Sequence, residues 1–163
     1  TYIVSEVPMS EKDILFVVAG RANFKPSLVG KSLPELKPLG TELKAVDVND
    51  KMVLFCFFDY QQRPSRHYIR ELAQKAEELQ NQGIVVVGVH TSKVDESVLN
   101  DWRTENKIPH PVGTIAGDVK ETVFKWGVRS QPWPILTDAD HIVRAEGFPL
   151  PELDEKIKAI MQK

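Results

Sequence analysis

Cysteine is almost missing from this chain: its 163 residues include a single one, Cys56. One thiol cannot form an intrachain disulfide, and there is no C-x-x-C pair to hold zinc or run a dithiol redox cycle. Long apolar runs are missing as well. Stretches such as residues 14–19 and 53–58 fall far short of the roughly 20 apolar residues that a membrane-spanning helix needs, so no membrane insertion by this domain is expected. Nor is there an excess of either charge. The chain has 21 Lys and Arg against 23 Asp and Glu, a net charge of -2. A nucleic-acid surface normally asks for clustered positive charge, so the balance argues against DNA or RNA as partner. The chain starts at Thr1 and shows no basic segment followed by an apolar one, and it reads as a mature fragment or an excised domain. No internal repeat or low-complexity tract interrupts it.

What is present is ordinary globular composition, 42% hydrophobic and 27% charged, enough for about one domain. Residues 1–27 stand apart as an N-terminal extension or the tail of a preceding domain, with β-prone runs at 2–4 and 14–18. The regular pattern starts at Leu28. Residues 52–58 form a continuous apolar run, as does 84–89, and both fit strands buried on two faces. Between them the spacing of Ile69, Leu72, Ala73, Ala76 and Leu79 predicts one helix over 65–82, stopped by Gly83. A helix opened by Asp95 or Ser97, a short strand near 111–113, a helix over 119–126 and a strand over 134–137 follow. The turn 138–141 leads to an alternating strand, 142–147, and an amphipathic helix over 152–161 ends the chain. Such alternation argues for an α/β core with an antiparallel edge.

Few side chains carry a chemical signature. Arg63, Arg66 and Arg70 gather with His67 at the start of the first long helix. They offer either an anion site or a solvated face pairing with Glu71 and Asp59. Ser65 and His67 are two residues apart and do not face each other on a helix, and no G-x-S-x-G elbow exists, which argues against a hydrolase. His67, His90, His110 and His141 lack metal-ligand spacing. Cys56, inside an apolar run, reads as a structural core thiol.

The order of these segments resembles the thioredoxin-like redoxins of the TlpA-like and AhpC/TSA-like branch. The resemblance rests on residues 30–35 (GKSLPE), 53–58 (VLFCFF), 83–90 (GIVVVGVH), 127–132 (GVRSQP), 135–138 (ILTD) and 142–147 (IVRAEG), and it spans about four-fifths of the chain. It implies a three-layer sandwich with a central mixed sheet and helices on both faces, formed by residues 28–163. It also implies that Pro132 takes the role of the family's cis-proline. The departure falls on the chemistry. Where the family carries its Trp-Cys-x-Pro-Cys turn, this chain reads Gln61-Gln62-Arg63-Pro64-Ser65. Gln62 then stands at the attacking cysteine and Ser65 at the resolving one, around Pro64. A glutamine amide cannot attack sulfur and a serine cannot form a disulfide.

The resemblance therefore implies a redox-inactive redoxin domain with no catalytic residue, cofactor or metal, a binding or structural module of a larger bacterial protein. Its expected binding residues are Gln62, Arg63, Pro64, Ser65 and Arg66 on one side and Gln131, Pro132 and Trp133 on the other, with Trp133 offering an aromatic surface. A peptide or protein segment is the expected partner, and an extracytoplasmic location goes with the family. The alternatives are a thiol-disulfide oxidoreductase or peroxiredoxin-type antioxidant using Cys56 or a partner's cysteine, and a glutathione-dependent transferase in which Ser65 stabilises a bound thiolate.

Overall fold

The computed structural model describes residues 26–40 and 47–162; the two β-prone runs expected within 1–27 lie outside them. Two apolar runs become the central strands, β1 (Met52–Phe58) and β2 (Ile84–His90), paired in parallel from Met52 opposite Ile84 to Phe58 opposite His90. The crossover between them is helical. It is not one helix but two, α1 (Arg63–Gln74) and α2 (Ala76–Asn81), divided where Lys75 leaves helical geometry at φ -92°, ψ 1°. Next come α3 (Glu96–Glu105), the short parallel strand β3 (Val112–Thr114), α4 (Val119–Lys125), the antiparallel pair β4 (Trp133–Thr137) and β5 (Val143–Glu146), and α5 (Leu153–Met161). The sheet order is β3-β2-β1-β4-β5.

Every residue of β1 is buried, because both faces are covered. Leu54, Cys56 and Phe58 point into a cluster with Ile69, Leu72, Leu99, Trp102, Leu153 and Ile157. Val53, Phe55 and Phe57 point the other way, onto Leu28, Leu39, Trp126 and Val128. This is the period-2 alternation of a strand between two layers, and the result is the thioredoxin-like α/β sandwich expected from the sequence. The segment leading into the domain covers one sheet edge. Gly30 N donates to Val143 O (2.8 Å), Val143 N to Lys31 O (2.9 Å) and Ser27 Oγ to Glu146 Oε1 (2.5 Å), so contacts with the sheet are already made at Ser27. Past the end of β3, at the other edge, Ala116 N donates to Pro38 O (2.8 Å).

Candidate functional site

The carboxyl end of β1 runs into the turn that starts α1. Asp59 organises it. Its Oδ1 accepts from Gln61 N (3.0 Å), its Oδ2 from Ser92 Oγ (2.6 Å), and its carbonyl from Gln62 N (2.9 Å). His90 ends β2 beside it, fully buried. Tyr60 N donates to His90 Nε2 (3.2 Å), so Nε2 is unprotonated. The proton then sits on Nδ1, which donates to Ser92 O (2.7 Å). Burial holds this imidazole below its ordinary pKa, outweighing the Ser92 carbonyl and the Asp59 carboxylate, which pull the other way. The Tyr60 ring lies 5.1 Å from His90 and 5.7 Å from Trp102. The turn is thus fixed by a polar network from below and by aromatic packing at its side. The sequence alone does not reveal this network. Its one linear signal is that each of two apolar runs ends on a polar residue, Asp59 and His90.

Gln62 is the N-cap of α1, extended at φ -97°, ψ 127°, and no side chain caps the helix. Pro64 lies in the first turn, where a missing N–H costs nothing. Arg66 donates from Nη1 to Tyr60 O (2.9 Å) and Arg70 from Nε to Asn106 Oδ1 (2.8 Å). The acids expected to pair with these arginines are used elsewhere: Glu71 faces His67 at 3.1 Å, and Asp59 holds the turn. Ser65 corrects the expectation of a contact residue. It is buried, and its hydroxyl has no hydrogen-bond partner, because the third position of α1 turns inward. It also has no bond to the exposed His67, so the two form no catalytic pair.

Across from Gln62 lies the segment 128–133, whose Gln131–Pro132 peptide is cis. Gln62, Val123, Val128, Arg129, Ser130 and Gln131 line one open groove. The predicted residues Gln62 and Gln131 therefore meet across a surface. Trp133 is the second correction. Only 8% exposed, it offers no open aromatic face. The reason lies in β5's end: at Gly147 (φ 66°) a Cβ would stand 2.5 Å from Trp133 Cη2, so the absent side chain makes the seat for the indole. The Arg129 guanidinium lies over that ring, 5.9 Å from its centre.

Cys56 lies mid-strand, opposite Gly88 on β2 and Pro134 on β4, with no exposed surface. Burial pushes its thiol far above the ordinary range. Among the described residues no group of three His, Cys, Asp or Glu can hold a metal ion, and no helix is long and apolar enough to cross a membrane.

Comparison with known proteins bears on the same fold. No curated protein matches the chain. Among solved structures it is similar to a thiol:disulfide interchange protein from Bacteroides sp., at 19% identity and a TM-score of 0.68 over 83% of this chain and 91% of that one. It is also similar to the thioredoxin domain of a thiol-disulfide oxidoreductase from Bacteroides vulgatus, at 19% identity and TM-score 0.62 over 78% and 98%. A third is a secreted disulfide oxidoreductase of Mycobacterium tuberculosis, at 15% identity and TM-score 0.55 over 69% and 84%. These identities carry the fold alone. The AhpC/TSA family model matches residues 29–148, the span from the covered sheet edge through the cis-proline to the end of the β-hairpin, and the chain belongs to that family.

Proposed function

We propose that this domain is a redox-inactive redoxin that binds a peptide or protein segment on the face between Gln62 and Gln131. One observation carries the reading: the only thiol, Cys56, is sealed in the core, while the turn where redoxins hold their cysteines carries Gln62 and Ser65. A thiolate must form and reach its target to act, and burial denies Cys56 both. What is left on the surface includes a groove lined by the amides of Gln62 and Gln131, the Ser130 hydroxyl, Arg129 and the apolar Val123 and Val128, a mix of hydrogen-bonding and apolar groups that suits an extended chain. Gln62, Arg63, Pro64, Arg66, Gln131 and Pro132 form the proposed contact surface, with Ser65 and Trp133 supporting it from beneath. The secreted nature of the mycobacterial neighbour favours an extracytoplasmic setting; the proposal takes the domain as one part of a larger bacterial protein.

The competing reading is an oxidoreductase or peroxidase using Cys56 or a partner's cysteine, favoured by the activities in the neighbours' names. An insulin-reduction assay separates the two. The wild type is expected to match the no-enzyme rate, and Gln62→Cys/Ser65→Cys to exceed it by an order of magnitude or more. Turnover by the wild type would overturn the proposal.

A further inference from the structure

The segment that leads into the domain is aimed at the candidate groove. Ser27 Oγ and Leu28 N both donate to the Glu146 carboxylate, and Gly30 N donates to Val143 O. Followed backwards from Gly30 to Ser27, the chain thus runs along β5 from Val143 to Glu146. On β4, the antiparallel partner of β5, that is the direction from Thr137 through Ile135 toward Trp133. This end of the sheet carries the cis Gln131–Pro132 peptide and, across the pairing of Trp133 with Phe57, the turn into α1. Pro26 then lies against Gly127 (φ 65°), where an added Cβ would collide with the Pro26 carbonyl oxygen. Directly after Gly127 comes the groove wall, Val128 to Gln131, beside a space of about 410 Å³. The chain before Pro26 is therefore delivered to one end of that wall.

From this path we infer that the groove is filled by the chain's own residues 14–18, Ile-Leu-Phe-Val-Val, laid across it in extended form. The inference rests on the proposed binding role and names the segment bound. In an extended chain Leu15 and Val17 share one side. That side suits the apolar Val123 and Val128, while the amides of Gln62 and Gln131 and the Ser130 hydroxyl suit the backbone. Residues 19–25 are the tether. Seven extended residues span up to about 25 Å, against at most about 14 Å for the four residues 128–131, so the run reaches any point of the wall. A tether this short presents the run at an effective concentration on the order of millimolar. An outside segment then binds only by displacing it.

Disulfide trapping in the full chain tests this. Leu15→Cys, Phe16→Cys and Val17→Cys are each combined with Ser130→Cys and oxidised with copper phenanthroline; Cys56, sealed in the core, stays out of the reaction. At least one pair is expected to lock about half or more of the chains as monomers, against about one-tenth or less when Lys158→Cys, on α5, replaces Ser130→Cys. A synthetic peptide of residues 12–20 should bind the Leu15→Asp/Val17→Asp chain at least about tenfold more tightly than the wild-type chain, whose groove is taken. No trapping above the α5 control would overturn the inference. Trapping only as linked dimers would overturn it too, by making the occupant a second copy. Equal peptide affinity for the two chains, or none for either, would also overturn it. Selection of a displayed random-peptide library on Leu15→Asp/Val17→Asp judges the binding role by itself: selected peptides would leave that role standing, and no selection above background would overturn it as well.

Discussion

Two histidines lie buried at opposite ends of the same strands. His90, at the carboxyl end of β2, has a bond on each ring nitrogen. His110, at the amino end of the sheet, is 5% exposed and has a partner on neither. It lies between Pro109 and Pro111, at a cavity whose walls include Ile84 and Val86. Burial alone lowers the pKa of both, and nearby Arg103 lowers that of His110 further. One end of the sheet is therefore organised by polar contacts and the other is packed around a polar ring that contributes none. The proposed contact surface lies at the first end, on a turn held from below by the Asp59 and His90 bonds.

Substituting each histidine by leucine puts that contrast to the sharpest test. His90→Leu orphans the Tyr60 N–H and the Ser92 carbonyl and should cost about 2–4 kcal/mol in urea unfolding. A loss under about 1 kcal/mol would mean the network does not hold the turn. The next effect is pH dependence. Both histidines are neutral in the folded protein, so their full contribution is present above about pH 6.5. Below that the unfolded chain takes up protons that the fold cannot accept. Stability then falls with pH, for His110 until its folded value of about 4 is reached, against an ordinary 6.5. That span corresponds to roughly 3 kcal/mol. The difference between wild type and His110→Leu, followed from pH 7 to 4, isolates it; parallel curves would contradict the assignment. The smallest effect is expected at neutral pH. His110→Leu removes two unpaired polar atoms from an apolar wall, so it should be within about 1 kcal/mol of wild type or more stable. A marked loss would show that the two ends are alike after all.

Most of the fold was legible in the sequence because β1 and β2 are uninterrupted apolar runs and the terminal hairpin alternates. The break at Lys75 was not, since Leu72, Ala76 and Leu79 keep helical spacing straight through it. The site was legible where it depends on local order: Gln62, Pro64 and Ser65 follow β1 directly, and Pro132 precedes β4. It was hidden where it depends on distant neighbours. His90 is buried because β2 pairs with β1 to its last residue, and Trp133 is buried because Gly147, fourteen positions on, leaves room for its ring. The inward turn of Ser65 follows from how α1 lies on the sheet, which its neighbours in sequence do not specify.

The central claim is that the one thiol takes no part in what this domain does. The most direct test is reaction of the native protein with Ellman's reagent at about pH 8, beside the same protein in urea. Full reaction in urea, with about one-tenth or less of the native thiol consumed over an hour, is the expected result. Stoichiometric reaction of native Cys56 within seconds would contradict it.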